Sequence, residues 1–495
     1  MNKRPLQLVW FKRDLRIRDH LPLWKAAQNE IPTLLVYFFE PDRILSPDWD
    51  IRHERFIYQS IQSINQEISL SGHKIWVFQD SLIDFLENLT FIFEIKSIYS
   101  YQETGLTNTY TRDKKVRKYL KIHSIPWNEF QNNGVIRGIK TRNNWNQSWE
   151  EFMRVPIPAF QIKSLQTPYQ EIDFYEFAKP YIPAEGLDIL NPRFQPGGET
   201  MAWKYLTSFL DERVKNYSRN ISKPELSRLS CSRLSPYISW GNLSIRQVFQ
   251  YSLFKKGERA DRNIQNFLSR LRWHCHFIQK LETESKIETE NLNSAFNSLR
   301  NEWDDSKYRA WKEARTGYPL IDACMQAVKE TGYLNFRMRS LLVSFLTHHL
   351  WLDWRPGAWF LARQFLDYEP GIHFSQFQMQ SGTTGINTIR IYNPVKQSQD
   401  HDPEGLFIKK WIPSLQHVPA SLIHEPWKMS PFEQELFKCR IGLDYPFPIV
   451  DLTITGRYAR ESLWAVKKSK TAQQENEGIL NRLTHRKSEE ESDRP

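Results

Sequence analysis

Short apolar runs alternate with amphipathic stretches over the first part of the chain, residues 1–134. Four runs rich in β-branched and aromatic residues predict strands: Leu6–Phe11, Thr33–Phe39, Lys74–Phe78 and Ser97–Gln102. Between them, Arg55–Ile68 and Tyr110–Leu120 repeat apolar residues at helical spacing. Strands that alternate with helices predict an α/β domain with a doubly wound parallel sheet. Strands that are apolar throughout fit a sheet covered on both faces.

The pattern changes farther along the chain. Residues 135–198 are rich in Pro, Asn, Gln and Lys, which predicts an interdomain linker. Residues 199–465 lose the strand pattern and repeat apolar residues three and four positions apart, which predicts a larger all-helical domain. Residues 466–495 are charged and poor in apolar residues, so we expect a frayed or disordered tail.

Composition narrows the class of protein. The chain has 495 residues, a formal net charge of +10 and 14% aromatic residues. The charge favours an acidic partner such as nucleic acid, and the aromatic residues fit a large core, a planar cofactor or stacked bases. The four cysteines are scattered, and no apolar run resembles a signal peptide or a membrane span. We therefore expect a cytoplasmic protein with reduced thiols.

A series of short motifs follows one order along the chain. They are Leu8–Asp14 (LVWFKRD), Ser232–Tyr237 (SRLSPY), Trp240–Ser244 (WGNLS), Thr316–Asp322 (TGYPLID), Asp353–Gly357 (DWRPG), Arg390–Pro394 (RIYNP), Glu404–Trp411 (EGLFIKKW) and His424–Trp427 (HEPW). Together they resemble the cryptochrome/photolyase family over nearly the whole chain. The resemblance implies an N-terminal α/β domain, a larger all-α FAD-binding domain and absorption of blue light by FAD.

The resemblance assigns the FAD phosphates to Ser232, Arg233, Leu234 and Ser235, with Tyr217 upstream of them. Physical chemistry agrees, because a pyrophosphate needs hydroxyl groups, backbone N–H groups and a guanidinium. The alternative is that a serine of this segment simply caps a helix. The neighbouring motifs favour the phosphate site.

Four further residues correspond to positions around the flavin ring. Arg339 and Asp367 match a buried pair beside the ring, and Glu369 stands where the family often has a second Asp. Such a pair orients donors and stabilises negative charge, although a purely structural ion pair is the alternative. His373 corresponds to the residue that faces flavin N5. It either gates a proton near neutral pH or packs as a neutral ring.

The family's repair enzymes flip a pyrimidine dimer into a cavity beside the flavin. Trp273 matches one aromatic wall of that cavity. The other positions depart from the repair pattern, because Arg270 replaces a Glu, Phe336 an Asn, Ser340 a Met and Met379 a second Trp. A permanent cation in place of an acid puts repair of the usual dimer in question. The alternative is that Arg270 binds a phosphate or an anionic small molecule.

The resemblance also implies an electron route to the excited flavin along three Trp residues. Trp311 and Trp354 match the outer two, and the flavin-proximal position is Phe377. Phe is much harder to oxidise than Trp, so we expect the route to be interrupted at its first step. Trp351 and Trp359 are the candidate detours.

The partners expected from the resemblance are DNA and an antenna chromophore. Arg337, Arg390 and Lys396 lie in segments that contact DNA phosphates in the family, with a solvated basic rim as the alternative. We expect a monomer that binds damaged or single-stranded DNA and no membrane, and a signalling protein as an alternative partner. Glu103 matches a folate-binding Glu of some members, which leaves folate, a flavin or no antenna open.

A metal centre is not expected. His274, Cys275 and His276 are of metal-binding types, but adjacent helical residues point apart. The scattered cysteines also lack the close cluster of the family's iron–sulfur members.

Three functions follow from these observations. The leading one is a deoxyribodipyrimidine photo-lyase-like protein, in which light-excited FAD donates an electron to a flipped pyrimidine lesion. The second is a cryptochrome that signals through flavin redox state and protonation without repair. The third is a flavoprotein that carries electrons in the dark. The departures at Arg270 and Phe336 leave enzymatic activity undecided.

Overall fold

The structure, a computed structural model, describes residues 3–257 and 261–484. Its N-terminal part is built on a sheet of five strands, all parallel, in the order β3-β2-β1-β4-β5. The strands are β1 Arg4–Phe11, β2 Thr33–Phe38, β3 Ile75–Phe78, β4 Phe93–Tyr101 and β5 Trp127–Phe130. The central strand pairs on both sides, with Val9 opposite Leu35 and Tyr99. The predicted doubly wound parallel sheet is confirmed.

The sequence pattern missed β5. Its four residues are all half-buried, so the apolar character that marks the other strands is absent. Within the described residues β5 pairs with β4 and lies at the edge of the sheet. An edge position tolerates Asn128 and Glu129 because solvent reaches one side of the strand.

Helices cover both faces of the sheet and form the remainder of the molecule. Up to residue 154 they are α1 Leu21–Ala26, α2 Pro41–Ile44, α3 Ile51–Ile68, α4 Leu82–Leu89, α5 Thr107–Ile122 and α6 Trp145–Arg154. From residue 199 they are α7 Glu199–Asp211, α8 Tyr217–Asn220, α9 Leu226–Ser230, α10 Ser235–Ser239, α11 Ile245–Lys256, α12 Arg262–Thr283, α13 Asp305–Glu313, α14 Pro319–Thr331, α15 Phe336–Ser344, α16 Trp354–Gln364, α17 Pro370–Ser381, α18 Pro394–His401, α19 Leu406–Trp411, α20 Ala420–Ile423, α21 Pro431–Leu436, α22 Leu452–Lys467 and α23 Lys470–Leu483.

Part of the stretch expected to be a linker is a helix. In α6, Trp145, Trp149 and Met153 are spaced four residues apart and are buried. This stripe packs on α11. Gly134 makes room for it, because a Cβ at that position would lie 2.1 Å from Cδ1 of Trp149. Three residues at helical spacing were therefore enough to order this part of a Pro- and Asn-rich region.

The expectation of a disordered tail is wrong for residues 470–483, which form α23. Ala472, Ile479 and Leu483 of this helix are buried, and Arg482 pairs with Glu284 of the chain after α12 at 3.1 Å. Residues 485–495 of the expected tail lie outside the described residues.

Two of the sequence motifs fasten the sheet domain to the helical domain. The backbone N–H of Leu15 donates to the Trp240 carbonyl at 3.2 Å, and the Asn242 side chain donates to the Leu15 carbonyl at 2.9 Å. Gly241 has φ +77°, and a Cβ there would lie 2.3 Å from the Arg13 carbonyl oxygen. Only glycine allows this close approach. Among the described residues, every helix is too short or too polar to cross a membrane.

Candidate active site

An ion pair joins α15 to the loop before α17. Arg339 donates from Nη2 to Oδ1 and Oδ2 of Asp367 at 2.9 and 2.7 Å, and from Nε to the Leu334 carbonyl at 2.9 Å. Its guanidinium also lies 4.0 Å from the centre of the Phe365 ring. The Asp367 side chain is 4% exposed and that of Arg339 is 26% exposed. Contacts with Asp367, Leu334 and Phe365 thus fix the Arg339 guanidinium, and the Arg339 side chain remains partly open to solvent.

The segment predicted to hold phosphates lies at the start of α10. Arg233 has φ +59°, its Nη2 donates to the Gln195 side chain at 2.8 Å, and its carbonyl accepts from the same amide at 2.9 Å. The Arg233 Nε is buried without an acceptor. Leu234 is the N-cap of α10 and makes no side-chain capping bond. Neither Ser232 nor Ser235 is the N-cap residue, and the Ser232 hydroxyl accepts from the Leu234 backbone N–H at 3.4 Å.

Tyr217 begins α8 and is buried against Phe209 and Phe267, with ring centroids 5.6 and 6.0 Å away. Burial raises the pKa of the Tyr217 hydroxyl, and the guanidinium of Arg270 opposes that rise. Arg270 is exposed on α12, one turn before Trp273. The structure thus brings Tyr217 and Arg270 together.

The predicted lesion-cavity residues lie on α12, α15 and α17, and both other helices pack against α17. The Trp273 side chain is 47% exposed and stacks on Phe277 at 5.7 Å. Phe336 is 54% exposed. Ser340 is buried and donates to the Phe336 carbonyl at 3.0 Å, and Met379 is half-buried. Two aromatic rings are therefore open to a ligand, while Ser340 is occupied within its own helix.

Glu369 belongs to a different environment from Asp367. Its Oε2 lies 3.3 Å from Nη2 of Arg13, and its Oε1 is buried without a partner. Burial raises the pKa of this carboxyl, Arg13 opposes the rise and Glu103 adds to it. Glu369 lines a narrow pocket of about 40 Å³ between the two domains, and Glu103 and His274 line the same pocket. The predicted second acid and the predicted antenna residue therefore share one chamber.

His373 lies on α17 and is held as a neutral ring. Its Nε2 lies 2.8 Å from the Ala358 carbonyl, to which it donates. Burial lowers the pKa of His373 to about 4, the bond to Ala358 opposes this, and Arg339 lowers it further. The ring contacts Phe377 at 4.7 Å and Tyr368 at 5.2 Å. Of the two alternatives for this residue, the geometry favours the packed neutral ring over a switch near neutral pH.

The aromatic residues near α17 do not form an unbroken line of three Trp residues. Trp354 donates to the Asn291 side chain at 2.8 Å and lies 6.3 Å from Phe374. Trp359 is closer to Phe374, at 4.9 Å, and Phe374 contacts His373 at 5.4 Å. Trp359 is half-buried, so it reaches solvent. Trp359 thus reaches His373 across the ring of Phe374, and the detour through Trp359 stays a candidate.

Trp311 is fully buried, with its Nε1 donating to the Leu342 carbonyl at 3.2 Å. It therefore cannot be the residue that meets solvent at the end of an electron route. Sequence reasoning missed Trp303, which is 44% exposed and lies 4.8 Å from Tyr308, while Tyr308 lies 6.1 Å from Trp311. The available signal was its position among Asn, Glu and Asp residues, which is typical of an exposed loop.

The three predicted DNA contacts occupy α15, α18 and the loop before α18. Arg337 donates to the Tyr392 hydroxyl at 3.4 Å, which links α15 to the RIYNP segment. Arg390 is exposed in the same segment. Lys396 is 70% exposed and pairs with Asp400 at 3.5 Å. The charges of Arg337 and Arg390 are thus available to an anionic partner.

The donor set fits a dinucleotide. The buried Arg233 Nε has no acceptor, and the first turn of α10 has no side-chain cap. Backbone amides and a guanidinium are the groups that bind phosphate oxygens. Two of the three neighbouring residues of metal-binding type have other surroundings. Cys275 is buried, and His276 Nδ1 accepts from Arg142 at 2.9 Å.

Comparison with known proteins agrees with this geometry. A family model described as DNA photolyase matches residues 7–150, and one described as the FAD binding domain of DNA photolyase matches residues 267–465. The chain is 28% identical over 467 residues to a deoxyribodipyrimidine photo-lyase of Alkalihalophilus pseudofirmus, covering 91% of this chain and 96% of that protein. It is 24% identical over 482 residues to a cryptochrome DASH of Gloeobacter violaceus, covering 90% and 93%.

Solved structures share the fold. The cryptochrome of Synechocystis sp. PCC6803 superposes with a TM-score of 0.82 at 23% identity, covering 93% of this chain and 100% of that one. A class III photolyase from Agrobacterium tumefaciens also gives a TM-score of 0.82 at 23% identity, covering 95% and 99%. The two family models, the relatives and the described site together show that the chain belongs to the cryptochrome/photolyase family, as a flavoprotein whose helical half binds FAD.

Proposed function

We propose that the protein uses blue light to pass an electron from FAD to a pyrimidine lesion that has been flipped out of DNA. The Arg339–Asp367 pair carries this proposal, because the helices around it expose Trp273 and Phe336 to solvent. An ion pair without net charge can lie against the flavin ring. The exposed aromatic rings beside the pair can receive a flipped base.

Bound FAD supplies the chromophore and the electron. We assign its phosphates to the segment Ser232, Arg233, Leu234 and Ser235, and we place Tyr217 on the same side. The support is the unmet hydrogen-bonding capacity of Arg233 Nε and of the first turn of α10.

The ring of FAD is assigned to Asp367, Arg339 and His373. Asp367 accepts hydrogen bonds from Arg339 through both of its oxygens. His373 excludes water and stays a neutral imidazole near neutral pH, because burial lowers its pKa to about 4. Glu369 is assigned to the interdomain chamber instead of the ring.

The lesion is assigned to the open side of the site. Trp273 offers a half-exposed ring on which a flipped base can stack. Arg270 replaces the acid of repair enzymes, and we assign its exposed guanidinium to a phosphate of the flipped nucleotide. Phe336 supplies an apolar wall in place of an amide, which favours a lesion recognised by stacking more than by hydrogen bonds.

We propose that DNA binds to a basic rim formed by three side chains. Arg337, Arg390 and Lys396 present positive charge on neighbouring elements. Contacts of this kind bind phosphates without reading sequence, and damaged or single-stranded DNA costs least to unstack.

The proposal is tested with ultraviolet-damaged DNA. FAD-loaded protein with fully reduced flavin is mixed with the DNA under blue light, and both dimer types are quantified against a dark sample. We expect dimers to be lost, and Trp273→Ala to slow the loss at least about tenfold because a stacking surface is removed. Trp464→Ala, a similarly exposed Trp on α22, is the matched control. If neither dimer type is lost, the enzyme proposal fails.

A cryptochrome-type photoreceptor is the second candidate. The substitutions at Arg270 and Phe336 favour it, since both differ from the repair pattern while the flavin site is kept. This candidate requires a light-induced flavin species that persists for minutes with no loss of dimers, which the same samples report by absorption.

The interdomain cavity is our proposed antenna site. Glu103 and Glu369 offer acceptors, while Arg13 and Asn133 offer donors around it. That mixture suits a polar planar ring of folate or flavin type. The absorption spectrum of the purified protein distinguishes the two and reports the redox state of FAD at the same time.

A further inference from the structure

A second cavity of about 310 Å³ lies between the two domains at another position, and no role has been assigned to it. Its walls are α3 of the sheet domain, the chain before α7, α7 itself and Leu366, which precedes Asp367. The residues that line the proposed antenna chamber, Glu103 and Glu369 among them, are not in these walls. The two cavities are therefore separate sites.

The cavity is positively charged. Arg52 and Arg55 of α3 line it, and its lining residues include no Asp or Glu. Arg52 is already neutralised, because its Nε pairs with Asp50 at 3.0 Å and its Nη1 donates to the Gln364 carbonyl at 2.6 Å. Arg55, by contrast, forms no hydrogen bond or ion pair with any described residue, and its Nε is buried without an acceptor.

A guanidinium N–H that is buried without an acceptor is costly and needs an explanation. A guanidinium fork binds the oxygens of a phosphate through two parallel hydrogen bonds. Arg55 is therefore the anion-binding end of the cavity.

The other walls are flat and apolar with a few amides. Phe194 and Tyr205 line the cavity as half-buried rings, and Arg52 lies 5.4 Å from the centre of the Phe194 ring, which fixes that wall. Gln59 and Asn191 add amide groups. Flat rings with a few polar groups at the edge suit a heteroaromatic base, whose face is apolar and whose edge makes hydrogen bonds.

We propose that this cavity binds a nucleoside monophosphate, with its phosphate on Arg55 and its base against Phe194 and Tyr205. The volume lies within the range of small-ligand sites. Gln195, in the same wall, makes two hydrogen bonds with Arg233 of the assigned flavin phosphate segment. The site therefore has to be tested with flavin already bound.

The test is calorimetric titration of the full-length, flavin-loaded protein in the dark with AMP, adenosine and inorganic phosphate. We expect AMP to bind at least about tenfold more tightly than adenosine or phosphate, because each of these lacks one half of the contacts. Arg55→Gln should weaken AMP binding at least about tenfold and leave the flavin content unchanged. Lys118→Gln, which removes an exposed charge from α5, should bind AMP as the parent protein does.

A second variant tests the cavity by shape. Asn191→Trp fills the space between the walls, so it should abolish AMP binding while the circular dichroism spectrum stays that of the parent protein. The proposal is overturned if AMP does not bind, if Arg55→Gln binds it unchanged, or if AMP binds only by releasing flavin, which appears as a rise in flavin fluorescence. Repair of DNA is a separate measurement, so a failure of one proposal does not decide the other.

Discussion

Arg339 places a single guanidinium nitrogen, Nη2, within 2.9 Å of Oδ1 and 2.7 Å of Oδ2 of Asp367. The Asp367 side chain is 4% exposed, so its charge depends on this partner. Removing one member of a buried pair leaves an uncompensated charge, which is more costly than the pair itself was stabilising.

Asp367→Asn should therefore lower the free energy of unfolding by about 2–4 kcal/mol and reduce the FAD content of the purified protein. Urea unfolding and the flavin-to-protein absorbance ratio measure the two effects. Asp305→Asn is the control, because Asp305 and Arg309 form a pair that is 67% exposed on both sides, and such surface pairs contribute about 0–1 kcal/mol. Equal losses in the two variants would show that Asp367 has only an ordinary structural role.

We expect Phe377 to interrupt the electron route. Phe377→Trp should therefore accelerate photoreduction of the flavin at least about tenfold, since the rate falls steeply with the barrier to oxidising the first residue. The experiment follows flavin bleaching under blue light with a thiol as the terminal reductant. An unchanged rate would mean that the route is not broken at Phe377.

The detour can be tested in the parent protein. Trp359 contacts Phe374 at 4.9 Å, and Phe374 contacts His373. Trp351, the other candidate, packs instead on Tyr458 and lies beside Arg300. Trp359→Phe should therefore slow photoreduction, and Trp351→Phe should not. The opposite pattern would assign the detour to Trp351.

His373 gives a pH dependence whose sign is fixed by its environment. Its ordinary pKa is 6.5, and burial lowers it to about 4 in the folded protein. Between these values the unfolded chain binds a proton that the folded protein does not, so stability is full above pH 6.5 and falls as the pH falls toward 4. The slope from one such group is about 1.4 kcal/mol per pH unit.

His373→Asn should remove the contribution of this one group to the slope of the free energy of unfolding against pH, while leaving stability above pH 7 nearly unchanged. Urea unfolding of both proteins across this pH range checks the prediction. The same neutrality implies that flavin photochemistry does not titrate with His373 between pH 6 and 8. A light reaction whose midpoint near pH 7 disappears in His373→Asn would restore the switch that the geometry disfavours.

The basic rim predicts a salt dependence. Arg390→Gln and Arg337→Gln should each weaken DNA binding by a similar factor for all sequences and reduce the slope of log affinity against log salt by about 0.9 for each phosphate that the variant no longer neutralises. Fluorescence anisotropy with a labelled duplex at several salt concentrations measures this slope. Lys118→Gln on α5 carries the same change in charge at a distant exposed position and should leave the slope unchanged.

Particular residues show how far the sequence alone could go. The pair Arg339–Asp367 was predictable because the family resemblance matches each member to a position beside the flavin ring, although they are 28 positions apart. The sheet was predictable because β1, β2 and β3 are apolar along nearly their whole length. Both features can be recognised from short segments of the sequence.

What escaped prediction depends on contacts between distant segments. The helix α23 reads KTAQQENEGILNRL, and only three of its residues are buried. Much of its docking is polar, through Glu475 to Ser294 at 2.7 Å and Asn476 to Asn293 at 2.9 Å. Such bonds leave no periodic pattern in the sequence. The solvent exposure that separates Trp303 from Trp311 is likewise a property of the packed fold.

The docking of α23 on the loop after α17 is itself testable, because Gly385 of that loop has φ +72° and lies against Asn476. A Cβ at Gly385 would be 2.0 Å from Oδ1 of Asn476, whose position is held by the bond to Asn293. Gly385→Ala therefore combines the cost of a left-handed backbone, about 1–2 kcal/mol, with a steric clash. Gly138→Ala has the same backbone conformation, at φ +73°, and no neighbour within 4 Å of the new Cβ.

Urea unfolding should thus show a larger loss of stability for Gly385→Ala than for Gly138→Ala, and the difference measures the clash. Adding Asn476→Ala removes the closest clash, while a Cβ at Gly385 would still lie 2.6 Å from Nδ2 of Asn293. In that background Gly385→Ala should therefore cost less than it does in the parent protein. If the cost of Gly385→Ala is just as large without Asn476, the loop is not held by α23. Because this loop leads from the helix that carries His373 to the segment of Arg390, its anchoring by α23 links the flavin side of the site to the DNA side.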